Sequence, residues 1–124
     1  MKKVFISIIL LPFLAFTCDS VEKQTDWLQG KVVRVSCASF IVQVLNNDTI
    51  GEDGWKDMMN NNAAYDNVFN AGNKCAIPEA IKAGSTIRFK IAPPAKNDCV
   101  TCMMFDGPPQ AKYDIKEVTL VDNK

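Results

Sequence analysis

Cys99 and Cys102 stand in a C-x-x-C spacing, with Met103 and Met104 directly behind them. Two cysteines so placed support three kinds of chemistry: a redox couple, a soft-metal site or covalent cross-links. A redox couple needs a thiolate stabilised at a helix N-terminus. Gly107, Pro108 and Pro109 follow within a few residues and prevent a helix of useful length, which disfavours it. Tetrahedral zinc is normally held by two close cysteine pairs, whereas Cys37 and Cys75 are singletons. Cys99, Cys102, Met103 and Met104, with Met58 and Met59 in reserve, form a soft-sulfur set suited to Cu(I). That set defines the alternative reading, a Cys/Met-rich periplasmic protein that binds copper or zinc. Cross-links are favoured only in an oxidising compartment, so the compartment decides.

The N-terminus speaks to this. Lys2 and Lys3 precede an apolar run from Val4 to Phe16, the pattern of a secretory signal and too short for an ordinary membrane-spanning helix. The segment Leu14-Ala15-Phe16-Thr17-Cys18 resembles a bacterial lipobox, whose cysteine is lipidated and becomes the first mature residue. It departs from the usual pattern at Ala15, where leucine is customary, and at Thr17, where a smaller residue is customary. The reading is a lipoprotein signal peptide over 1–17, a tether over 18–26 and one domain over 27–124. The expected location is the bacterial cell envelope, with the chain held to the membrane by lipid on Cys18 and facing the periplasm or cell surface.

Five cysteines are an odd number for an exported chain. With Cys18 taken by lipid, Cys37, Cys75, Cys99 and Cys102 remain, and structural disulfides among them are expected. Four cysteines allow three connectivities. Removal of residues 1–17 leaves 107 residues, enough for one modest core, with a net charge of −2. Such a chain exerts no long-range attraction on phosphate backbones, so nucleic acid is not an expected partner. The sequence has no histidine, which removes Ser–His and Cys–His dyads. No nucleophile–base pair is recognisable; a non-enzyme without a cofactor is expected.

These cysteines must be positioned by the elements around them. Residues 27–36 and 39–48 read as strands, with Phe40, Val42 and Val44 on one face, Ile41 on the other, and Cys37 in the connection. Residues 49–74 are irregular, with one helical turn expected over 55–59 and a short strand over 67–70. Residues 77–84, with Pro78 in the first turn and Gly84 as the stop, predict a short helix. Residues 85–94 and 111–122 read as two more strands, the last with a slip at Glu117. This order predicts a mainly β fold, a five-stranded OB-like barrel with a short helix between strands three and four; a small two-sheet sandwich is the alternative.

The pattern G-x-V…C…F-I-V-Q-V, then I-P-E-A-I-K-A-G-S-T-I-R-F-K-I, then C…Y-D-I-K-E-V resembles a group of small, mostly uncharacterised bacterial exported lipoproteins with OB-like barrels. The resemblance covers roughly residues 27–121 and implies an envelope location without an established activity. In an OB barrel the loop between strands one and two lies near the loop between strands four and five. A bond from Cys37 to Cys99 or Cys102, with Cys75 taking the other, would pin those loops together.

Two further groups are candidate sites. Trp55, Tyr65 and Phe69 offer either an aromatic ligand surface or a cover for the barrel end. Asp48, Glu52, Asp53 and Asp57 lack the spacing of a calcium loop and read as a solvated turn. The functional expectation is an envelope-anchored, disulfide-stapled binding or structural module. It would engage an envelope protein or a small ligand through the loops near Cys37 and over 99–109.

Overall fold

The computed structural model describes residues 26–96 and 98–121. The signal segment expected over 1–17, Cys18 and most of the tether expected over 18–26 lie outside the described residues. Seven strands follow in order: β1 (Leu28–Val35), β2 (Phe40–Val44), β3 (Trp55–Asp57), β4 (Ala63–Tyr65), β5 (Val68–Ala71), β6 (Thr86–Ala92) and β7 (Lys112–Leu120). Five of them close a barrel in the order β1-β2-β5-β7-β6, while β3 and β4 form a separate hairpin. Every barrel pairing is antiparallel except β5 with β7. The fold is therefore the mainly β, OB-like barrel that the order of elements predicts.

Alternation builds the interior. Leu28, Val32, Phe40, Val42, Val44, Phe69, Ala71, Ile87, Phe89 and Ile115 point inward and form the main core. Phe69 stacks obliquely on Phe89 at 5.8 Å and meets Tyr113 edge-on at 5.4 Å. Gly30 belongs to the same inward set, because a Cβ there would sit 2.5 Å from Val42 Cγ1 and 3.0 Å from the Phe89 ring. Gly30→Ala is expected to cost about 1–3 kcal/mol by overpacking. The check is a lower urea midpoint at unchanged m-value.

Ile41 points the other way and is nevertheless fully buried. The β3–β4 hairpin lies over it, and Ile41, Trp55 and Val68 make a second small core with Val33 and Tyr65 at its margin. This corrects the helical turn expected over 55–59. Trp55–Asp57 is extended and pairs with Ala63–Tyr65. Asn61 and Asn62 take positive φ between the two strands, a conformation asparagine tolerates better than most residues.

The helix expected over 77–84 is also corrected. That stretch is a chain of turns, and the helical geometry here is a 3-10 turn over Lys74–Ala76. Eight residues cannot offset the nucleation cost of an α-helix unaided. The backbone is instead recruited by β1: Gly84 N–H donates to Val32 O, and Val32 N–H to Ser85 O. Ile77 and Ile81 still reach the core from these turns. The slip expected at Glu117 is a residue at φ 53° inside β7, where the β6–β7 register shifts.

Candidate functional site

The two cysteines of the C-x-x-C are bonded to different partners. Cys102 joins Cys37 in the β1–β2 turn, and Cys99 joins Cys75 in the 3-10 turn. Backbone pairing reinforces the first link, with Cys102 N–H donating to Cys37 O at 3.3 Å. The long β6–β7 connection is thus stapled at two points three residues apart. All four sulfurs are in covalent S–S bonds, which leaves none as a thiolate ligand.

Beneath the stapled segment lies a polar cluster that sequence reasoning did not single out. Arg34 of β1 is buried, and one guanidinium nitrogen donates to Asp57 of the hairpin while the other donates to Asp106 O at 2.7 Å. The second nitrogen also lies 3.4 Å from Asp106 Oδ2. The same carboxylate oxygen accepts hydrogen bonds from the hydroxyls of Ser36 and, at 2.7 Å, Ser39. Burial pushes the Asp106 carboxyl toward the neutral form, but the Ser36 and Ser39 hydroxyls and the Arg34 charge outweigh it. Its pKa is lowered on balance. Trp55 completes the assembly: its ring lies 5.4 Å from the Arg34 guanidinium, and its indole N–H donates to Gly107 O at 2.9 Å.

One signal in the sequence bears on this cluster. Arg34 follows Leu28, Gly30 and Val32 in the inward parity of β1, and a charge at such a position demands a buried partner. A register shift between Val32 and Arg34 lets the side chain leave the apolar interior. Nothing in the spacing identifies Asp57 or Asp106 as its partners.

Above the cluster, polarity is inverted. Asp106 is 1% exposed, while the neighbouring Phe105 is 81%, Met103 fully and Val100 91% exposed. Met104, Met58 and Met59 are also exposed. Met58 lies against this loop, since a Cβ on Gly107, at φ 63°, would meet Met58 Sδ at 2.5 Å. The result is an apolar, methionine-rich tip on a base tied by two disulfides and a buried ion cluster.

Comparison with protein-family models, curated proteins and solved structures finds no match. The site must be read from its own geometry.

Trp55, Tyr65 and Phe69 do not form one surface. Phe69 is fully buried inside the barrel, so it cannot line an open ligand face. Trp55 and Tyr65 pair outside the barrel with ring centroids 6.0 Å apart, and Trp55 is itself largely covered. The four acidic residues of the irregular segment do not converge either. Asp57 pairs with Arg34, Glu52 accepts from Ala111 N–H, and Asp53 accepts from Asn67 N–H.

Proposed function

We propose that this chain is an exported, non-enzymatic binding module, tethered to the bacterial envelope by lipid on Cys18. Its contact surface is the stapled tip formed by Val100, Met103 and Phe105, with Met58 beside it. The observation that carries the reading is the inversion just described: large apolar side chains face solvent while the charges behind them are buried. Exposed apolar side chains on a loop are costly unless a partner covers them, and methionine adapts to varied partner shapes. Two cross-links and an ion cluster hold the loop in place before any partner arrives, which lowers the entropy lost on binding. The competing metal carrier would need the cysteines as thiolates, and they are joined in pairs.

The test is site-specific photo-cross-linking in intact envelopes, with the probe at Met103 or Phe105 and, as a control, at Ala64, exposed on the β3–β4 hairpin. Discrete adducts from the tip positions and none from Ala64 are expected, with Val100→Ser weakening them. Equal labelling at all three positions rejects the tip as the contact surface. Intact mass before and after reduction, with alkylation, reads the redox state at the same time. Four alkylatable thiols without reductant would reinstate the metal carrier.

A further inference from the structure

The opposite end of β1 carries a different surface. Trp27 immediately precedes the strand, and its ring is flanked by Arg88 at 4.7 Å and Lys90 at 4.6 Å. Outward residues of three neighbouring strands continue this face. Gln29 pairs with Arg88 and Lys31 with Thr86 across β1 and β6. Lys90 stands directly opposite Lys116 across β6 and β7. Two carboxylates share the face: Glu117 contacts Lys90 at 3.0 Å, and Asp114, two positions from Lys116, accepts from Ala95 N–H at 3.2 Å, so the cations still outnumber the acids.

Two lysines directly opposite on one face repel, a cost to the isolated fold. On a chain whose mature net charge is −2, gathering Lys31, Arg88, Lys90 and Lys116 on one face around a tryptophan calls for an anionic partner. The route of the chain identifies which. Cys18 lies nine positions before Trp27, so the tether reaches at most about 30 Å even when fully extended. A barrel on so short a leash stays within reach of the bilayer, and Trp27, just before β1, belongs to the cationic face. Tryptophan with flanking lysine and arginine is the combination that settles at headgroup level.

We infer that the outer face of β1, β6 and β7 around Trp27 rests on an anionic phospholipid bilayer. This holds the barrel in one orientation, with the other end of β1, where Cys37 staples the tip, left to its partner. The orientation rests on the lipid anchor proposed above, but the affinity of the face does not. The core and both disulfides lie within residues 26–121, so the chain from position 18 onward carrying Cys18→Ser, with its disulfides formed, serves for the measurement.

Co-sedimentation with phosphatidylcholine vesicles, with and without phosphatidylglycerol, should show binding only to the anionic vesicles and its loss at high salt. Each neutralised cation is expected to weaken partitioning about fivefold, so Lys31→Gln/Arg88→Gln/Lys116→Gln should lose about 100-fold. The triple variant should keep a cooperative urea transition, because the relief of the Lys90–Lys116 repulsion offsets the loss of the Arg88 contact with Trp27. Brominated phosphatidylglycerol should quench the parent's fluorescence and leave Trp27→Phe, which retains buried Trp55, unaffected. Equal binding to neutral vesicles, equal binding by the triple variant, or no quenching of the parent would each overturn the inference. An unmodified Cys18 in the natural protein would count against the anchor alone.

Discussion

Reduction of both disulfides is expected to unfold this domain at neutral pH without denaturant. Cys37–Cys102 closes 65 residues and Cys75–Cys99 closes 24, the second nested inside the first. In the chain-entropy account the long bond contributes about 4 kcal/mol and the short one about 3. Their sum is comparable to the whole stability of a domain this size, about 5–15 kcal/mol. Cys75→Ser/Cys99→Ser should therefore leave a folded but weakened barrel. Cys37→Ser/Cys102→Ser should lose more, and the quadruple variant should show no cooperative transition. The check is chemical denaturation of all three by circular dichroism. A reduced chain with an unchanged midpoint would mean that the barrel core suffices by itself.

The second large effect is expected at Arg34. Its replacement by methionine leaves Asp57 and Asp106 buried without their cation, and breaking a buried ion cluster from one side costs about 3–5 kcal/mol. The loss measures the penalty of stranding charges and not the net worth of the cluster. Among the described residues, the buried Nε of Arg34 and Oδ1 of Asp106 have no hydrogen-bond partner, so the intact cluster is itself not fully compensated. For that reason Arg34→Met combined with Asp57→Asn and Asp106→Asn should recover part of the loss. If the triple variant is no better than Arg34→Met, the cost is one of packing.

Asp106 also gives this cluster a pH signature. Its folded pKa is lowered relative to an ordinary carboxyl, about 3.9. As pH falls, the unfolded chain takes up the proton first. The contribution of Asp106 is therefore complete above the unfolded value and disappears as pH drops through the lower folded value. Asp106→Asn should be less stable than the parent at neutral pH, and the gap should close in acid below about pH 4. Urea midpoints across that range give the answer. A constant gap would mean that Asp106 contributes equally in its charged and neutral forms, and that its loss is felt through packing.

How much of this is legible in the chain depends on the range of each interaction. Phe40, Val42 and Val44 oppose Ile41 because successive side chains in a strand alternate, and that parity is written locally. The irregularity at Glu117 is legible for the same reason, as a break in an alternating run. Residues 55–57 and 77–84 are different. Trp55–Asp57 extends because Ala63–Tyr65 is there to pair with it, and residues 77–84 stay as turns because β1 claims the backbone at Gly84 and Ser85. In both, a partner brought close by the barrel outweighs a weak local preference.

The site divides along the same line. The barrel order and the nearness of the two cysteine-bearing loops follow from residue types and their order. Which sulfur bonds to which was settled by the closed sheet, which sets Cys37 beside Cys102 and Cys75 beside Cys99. Arg34, Asp57 and Asp106 lie on three segments up to 72 residues apart, and no short-range pattern links them. They meet because burying one guanidinium requires acceptors from wherever the fold can bring them. Local chemistry selected the components; long-range packing alone decided their neighbours.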